Sequence, residues 1–292
     1  MKTKKGLLNT LYPYLLVAPA VLLVSAVSLY PTIYSFYLSM TRFIRGQMHF
    51  VFFRNYRVLL TTSPFYESLQ ASLIFLGAYV FLTVLLALLV ALALNKGIRF
   101  TSVYMTIIFL PWVLSEITSG VIWRWMFYRD YGILQNLLGP LFGNVGLIVT
   151  PWGAMGIVIA ASVWRSVSFG MLLILAGLQT IPKEVMEAAE IDGAKPTTRF
   201  KDVTWPLLFP TMMVTIVFMS IQAINNVGMF LSITRGGPGR ATEVLSLYMY
   251  REAIQYFNLG YAASIAVVLL GINAILAVFY VRYMKRENAL AA

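Results

Sequence analysis

A chain of 292 residues that is 60% hydrophobic and only 11% charged, with a mean hydropathy of +0.79, is too apolar to fold as a water-soluble domain. Several of its apolar runs approach the ~20 residues that cross a bilayer core as a helix, and the short alternating strands of a membrane barrel are missing, so the composition describes a polytopic helical membrane protein. The absence of cysteine excludes disulfides and thiolate metal sites, and the net charge of +11 reads as a topology signal rather than as a nucleic-acid-binding surface.

In chain order, Lys2, Lys4 and Lys5 precede a first apolar run, residues 15–38, which Pro19 and Pro31 interrupt. A basic start before an apolar stretch also opens a secretory signal peptide, with a passable cleavage region at residues 25–28. The apolar character continues past any such cut, which favours a retained span. A polar loop over residues 41–68 carries Arg42, Arg45, Arg54, Arg57 and the single histidine, His49, read as an ordinary loop residue. The second span covers residues 69–94 and ends in the charged turn Asn95-Lys96-Gly97-Ile98-Arg99. The third, 103–122, contains Pro111 and Glu116 and runs into Trp123, Trp125, Phe127 and Tyr128, aromatics of the kind that anchor at an interface. A loop with too much Gly and Pro for a continuous helix leads to the fourth span, 152–178, which passes Arg165. A polar segment, 181–206, separates it from the fifth span, 207–229. A loop holding Gly236, Gly237, Pro238 and Gly239 precedes the sixth, 261–281, and Arg282, Lys285 and Arg286 follow.

Six spans put both termini on one side of the membrane. Lys and Arg number twelve on the side of the termini, the Asn95 turn and the 181–206 segment, against nine on the other, and all eight lysines fall on the first side. That side is therefore assigned to the cytoplasm. The expectation is an all-α integral membrane domain over residues 1–292, with both termini cytoplasmic.

The polar segment concentrates charge: Lys183, Lys195, Arg199 and Lys201 stand beside Glu184, Glu187, Glu190, Asp192 and Asp202. Pro182 suits the first turn of a helix, Glu184 and Glu187 lie near its positive end, and Gly193 can stop it in the left-handed conformation. A helix of about ten residues results. Ala188 and Ala189 keep it thin enough to enter a groove on another protein. Pro196 and Thr197 then permit a second helix that turns back at Trp205-Pro206 into the fifth span. A solvated hairpin and a docking element are both compatible with this pattern.

Polar groups inside the spans are costly and often functional. Glu116 and Arg165 each lie about thirteen residues into adjacent antiparallel spans; they can meet as an ion pair or touch substrate directly. Ser220, Gln222, Asn225, Asn226 and Asn273 supply neutral hydrogen-bonding groups of the sort a sugar needs beside an apolar wall, although helix–helix hydrogen bonds would use the same residues. Gln222, Asn225 and Asn226 lie within about one turn, so they cannot all face one pathway. An ion-coupled secondary transporter or a channel would need more intramembrane ionisable groups or an internal repeat. An integral membrane enzyme would need a catalytic constellation, and no His-Glu-x-x-His occurs.

Glu187-Ala188-Ala189, three residues, Gly193, nine residues and Val203-Thr204-Trp205-Pro206 together resemble the EAA loop of permease subunits from binding-protein-dependent ABC importers. That family has Ile-x-Leu-Pro where this chain has Val203 and Trp205 at the two apolar positions. Ala176-Gly177-Leu178-Gln179 with Ile181-Pro182, and Ile191-Asp192-Gly193-Ala194, are similar to its carbohydrate branch, the maltose- and glycerol-phosphate-type permeases. Thr234-Arg235-Gly236-Gly237-Pro238, Thr242, Tyr250 and Gly260-Tyr261-Ala262-Ala263 resemble the outer loop and last span of the same branch, and Trp123, Gly132 and Asn136 its third-span exit. Phe50-Val51-Phe52-Phe53-Arg54-Asn55-Tyr56 is similar to a further segment, without its usual glycine.

The resemblance implies that Glu187, Ala188, Ala189, Asp192 and Gly193 belong to a coupling helix that docks into a cytoplasmic ATPase. It implies a second related permease, two ATP-binding subunits, an extracytoplasmic solute-binding protein and a carbohydrate substrate. It also implies a bacterial-type cytoplasmic (inner) membrane location and no enzyme activity on this chain. ATP and Mg would sit on the partner subunits, since no Gly-x-x-x-x-Gly-Lys-Ser/Thr occurs here and Ala188 stands where the first glycine before Gly193-Ala194-Lys195 would be. The substrate pathway is expected to use Gln222, Asn225, Asn226, Asn273, Glu116 and Arg165.

Overall fold

A computed structural model describes residues 3–291 except 45, 98 and 143–145. Among the described residues the architecture is all-α apart from one small hairpin. In chain order the elements are α1 (Thr3–Ser39), β1 (Thr41–Ile44), β2 (Gln47–Phe50), α2 (Arg54–Leu59), α3 (Ser63–Asn95), α4 (Thr101–Val113), α5 (Glu116–Met126), α6 (Ile133–Leu138), α7 (Pro151–Gln179), α8 (Lys183–Ile191), α9 (Pro196–Arg199), α10 (Trp205–Asn225), α11 (Gly228–Ile233), α12 (Leu245–Tyr250) and α13 (Leu259–Ala291). Among the described residues, five helical stretches are long and apolar enough to cross a membrane, or six when the bent pair α4 and α5 is taken as one.

The chain forms two compact units. One holds the chain up to Thr61 with Arg251–Val268; the other holds Thr62–Tyr250 with the chain from Leu269 onward. In the first, the loop expected over 41–68 contains the β1–β2 hairpin, where His49 pairs with Arg42 across the ladder and Gly46 turns at φ 80°. Asn55 is buried and donates its amide to both Ser39 O and Thr41 O at 2.8 Å, tying α2 to the chain reversal after α1. Gly260 packs so closely on Thr41 O that no Cβ would fit, which gives the Gly260-Tyr261-Ala262-Ala263 run a packing reason.

The second unit is built on α3 lying against α7, with α10 across both and α4 on α7. Phe75, Tyr79, Ala87, Val158, Met171 and Met219 form part of its buried core. Lipid gives helices no hydrophobic reason to associate, so close backbone approach has to come from small residues. A Cβ on Gly170 would lie 3.0 Å from Ala87 Cβ and 3.3 Å from the Met219 methyl; one on Gly177 would lie 2.6 Å from Thr211 Oγ1. The Tyr79 hydroxyl, buried between the helices, donates to Ser166 Oγ at 2.7 Å.

Two spans differ from the sequence expectation, the third at its middle and the fifth at both ends. The third, read as continuous over 103–122, is two helices bent by 94° at Leu114-Ser115. Ser115 is extended and accepts from Thr118 N, so it caps a new helix start rather than continuing the old one. The fifth, read to residue 229, stops at Asn225; Asn226 is extended and its Oδ1 accepts from Met229 N at 3.3 Å, opening α11. At its other end the expected turn back at Trp205-Pro206 does not occur. α9 runs through a π-helical segment, Phe200–Thr204, into α10, giving one span over Pro196–Asn225. Pro206 has no N–H for the carbonyl of Asp202, and the wider π turn accommodates that missing bond without a reversal.

Candidate functional site

The breaks in the third and fifth spans meet, and α5 packs along α11. Gly228, at the start of α11, sits against Glu116, the first residue of α5, with no room for a Cβ; Gly120 sits in the same way against Ser232. The two glycines let the broken segments approach to backbone distance. Ser246 Oγ donates to Asn226 O at 2.6 Å, which satisfies the carbonyl at the second break.

Arg165 of α7 organises the first break. Its Nε donates to Leu114 O at 3.0 Å, and its guanidinium lies over the Trp112 ring at 4.8 Å from the centroid. Its Nη1 stands 3.9 Å from Glu116 Oε1, with the two side chains 15% and 31% exposed. At that separation and exposure the ion pair is the weakest of the three contacts; the charged hydrogen bond to a carbonyl left open by the break holds the arginine. The ion pair, one of the two roles the sequence left open for these residues, is present as one contact of a larger assembly.

An aromatic wall continues from there. Trp112 stacks on Phe169 of α7 with centroids 4.7 Å apart, and Phe169 meets Phe218 of α10 at 4.7 Å. All three rings are half-buried, as are Arg165 and Glu116. Gln222 and Asn225 lie four and seven residues beyond Phe218, on the same helical stripe; Gln222 is half-buried and Asn225 is exposed, its amide donating to Ile221 O. One surface therefore combines ring faces, a guanidinium, a carboxylate and two side-chain amides. That combination can pack the apolar faces of a pyranose and satisfy its hydroxyls.

Other residues flagged in the sequence are engaged elsewhere. Asn226 is buried and serves the α11 start. Ser220 shares a hydrogen bond of 2.9 Å with the Tyr280 hydroxyl, joining α10 to α13. Asn273 donates to Leu269 O within its own helix, while its buried Oδ1 has no hydrogen-bond partner among the described residues. Trp112, Phe169 and Phe218 were missed, because each looks like one more apolar residue in a span and only tertiary packing unites them. The break itself carried a signal: Ser115 followed by Glu116 inside an apolar run is a helix-start pattern.

The 181–206 segment is a separate constellation. α8 is exposed along most of its length, with Ile191 86% exposed and Glu187 and Ala188 open to solvent. It ends at Gly193, at φ 76°, with Gly193 N bonded to Glu190 O and Ala194 N to Ala189 O, each at 3.0 Å. This double closure satisfies the last carbonyls without a neighbour. Glu190 pairs with Arg199 at 3.0 Å. Asp192 caps the helix through its own backbone. The segment thus stands as a self-contained, amphipathic projection.

The loop after α11 is also locally closed. Thr234 and Thr242 hydroxyls lie 2.7 Å apart, Thr242 Oγ1 donates to Gly237 O at 2.8 Å, and Thr242 N donates to Gly236 O at 3.2 Å, with a cis bond at Gly237-Pro238.

Residues 83–287 match the model of the family described as binding-protein-dependent transport system inner membrane component. The sulfoquinovosyl glycerol transport system permease protein of Agrobacterium fabrum is 30% identical over 290 residues, which is 96% of this chain and 92% of that protein. The trehalose/maltose transport system permease protein of Thermococcus litoralis is 34% identical over 276 residues, 93% of this chain and 92% of its own. A chain in the crystal structure of a bacterial ABC transporter involved in the import of the acidic polysaccharide alginate superposes with a TM-score of 0.82 at 19% identity, covering 98% of this chain and 99% of that one, which shows a shared fold.

Proposed function

This chain belongs to the family of inner membrane components of binding-protein-dependent transport systems, and from that premise we propose that it is the permease subunit of an ATP-driven importer that moves a carbohydrate, an oligosaccharide or a sugar derivative, into the cell. The observation that carries the carbohydrate assignment is the surface at the paired breaks, where Trp112, Phe169 and Phe218 meet Arg165 and Glu116. Gln222 and Asn225 extend its polar rim. Relatives named for sulfoquinovosyl glycerol and trehalose/maltose support the same substrate class.

The exposed α8 is the element that docks into a cytoplasmic ATP-binding subunit, with Glu187, Ala188, Ala189, Asp192 and Gly193 at the contact. Its closed C-terminus supports this role, because a helix that needs no neighbour for its own caps is free to accept one. Two such ATPases carry ATP and Mg, and their closure shifts the spans between two states that open the site alternately to each side. A second, related permease completes the pathway. Among the described residues of α1, none of the most apolar stretch within Tyr12–Ser39 is buried, which leaves that span to face lipid or this partner. Both termini and α8 lie in the cytoplasm, and the Gly236, Gly237 and Pro238 loop lies on the side where the solute-binding protein delivers its load.

The test is gentle purification of the native chain in detergent with mass identification of what accompanies it, repeated for Glu187→Lys and Gly193→Pro. A P-loop ATPase and a second permease are expected with the native chain, and the ATPase is expected to be lost from both variants. A chain that purifies alone, with variants that still transport, would refute the reading.

A further inference from the structure

The face shared by α3 and α7 carries two cavities in series. The first, about 400 Å³, is amphiphilic: Glu67, Gln70, Trp152 and Arg240 line it above Ile74 and Met155. The second, about 810 Å³, is almost wholly apolar and includes Ala78, Leu82 and Leu86 of α3 with Gly156, Ala160 and Val163 of α7. Gln70, Ile74, Ala78, Leu82 and Leu86 recur every four residues, so on α3 the two cavities lie along one stripe, the second directly beyond the first. From Gln70 to Leu82 the helix rises about 18 Å, close to the ~15 Å depth of one leaflet's hydrocarbon.

The polar end is built rather than incidental. Arg240 is fixed by Glu243, which is 1% exposed, at 2.8 Å, by Glu67 at 3.3 Å, and by the Tyr248 ring 4.9 Å beneath its guanidinium. Glu67 remains half exposed, and the Trp152 indole is 76% exposed beside it. One guanidinium between two carboxylates leaves the cluster with net negative charge. A purely anionic headgroup is disfavoured there, whereas a headgroup with an ammonium for Glu67 and a phosphate for Arg240 complements both ends.

We propose that this groove holds one aminophospholipid of the outer leaflet, its headgroup among Glu67, Gln70, Trp152 and Arg240 and one acyl chain along Ala78, Leu82, Gly156 and Ala160. The inference rests on α3 and α7 crossing the membrane with the 234–242 loop on the outer side, as proposed above, and is independent of the carbohydrate assignment. A lipid seated there fills the space between the outer ends of α3 and α7 and fastens the 234–242 loop, through Arg240, to the membrane surface. Loop position then depends on the lipid present.

The purified full-length complex, stripped and re-equilibrated with equal amounts of palmitoyl-oleoyl phosphatidylethanolamine, phosphatidylcholine and phosphatidylglycerol, is to be read by native mass spectrometry. Retention of phosphatidylethanolamine over phosphatidylglycerol by about tenfold is expected, the ratio of one charge-assisted contact. Glu67→Gln should erase that preference. Gly156→Leu should erase retention of all three, because a side chain at Gly156 meets nothing within 4 Å and so enters the groove. Gly271→Leu, equally unobstructed but on α13, serves as the control and should retain lipid. Equal retention of the three lipids by the native complex, or undiminished retention in Gly156→Leu, would overturn the proposal. So would a cross-link from Gly156→Cys to another polypeptide, which would mean that a neighbouring helix occupies the groove.

Discussion

The paired breaks at Leu114-Ser115 and Asn226-Val227 and the largely exposed segment from Lys183 to Thr198 are both rich in polar residues, yet they satisfy their open carbonyls in different ways. At the breaks the new helix starts are capped locally by Ser115 and Asn226, but the open carbonyls are satisfied by distant partners: Leu114 O by Arg165, Asn226 O by Ser246. In α8 they are satisfied locally, by the Gly193 closure, while the Glu190 side chain pairs with Arg199 close by. In lipid every backbone group must find protein, so a broken helix survives only where other spans complete it. In water a short helix can complete itself and leave its side chains for a partner. The first region therefore couples fold to site, and the second separates them.

Substitutions can test that contrast. Arg165→Met removes the partner of Leu114 O and Glu116 together and should cost about 1.5–3 kcal/mol, read as a lowered Tm in detergent. Pairing with Glu116→Gln sharpens the point: the double variant should be less damaged than additivity of the two singles gives, whereas strict additivity would mean the residues do not interact. Gly228→Ala, which drives a methyl into Glu116, should cost about 1–3 kcal/mol and lower the amount of folded protein recovered. Gly193→Ala, strained at φ 76°, should cost about 1 kcal/mol locally and leave the Tm of the spans nearly unchanged while reducing co-purified ATPase. Glu190→Gln should cost only about 0.2–1 kcal/mol, since the Glu190 side chain is itself 70% exposed. A large Tm loss from either α8 substitution would break the distinction between the two regions.

The same contrast explains what could be read in advance. The all-α class, the approximate places of the apolar spans, the helix stop at Gly193 and the possibility that Glu116 meets Arg165 follow from local rules or from span length, and they were legible; the break in the third span and the ends of the fifth were not. Trp112, Phe169 and Phe218 were not, because they lie on three helices and nothing local distinguishes them from the apolar residues around them. The second helix was expected to turn back at Pro206, since proline usually ends a helix; the π turn at Phe200–Thr204 absorbed it. Asn226 was expected in the pathway, and its amide instead caps α11, a role visible only once the fifth span is seen to stop at Asn225.

The most direct measurement is uptake of a panel of labelled mono- and oligosaccharides by cells carrying the native chain or Trp112→Ala, with co-purification of the ATPase checked in both. For whichever sugar the native chain imports, Trp112→Ala is expected to keep the assembled complex and lose most uptake. Undiminished uptake with Trp112→Ala, or no sugar imported by the native assembled complex, would contradict the assignment of the aromatic surface at the breaks as a carbohydrate site.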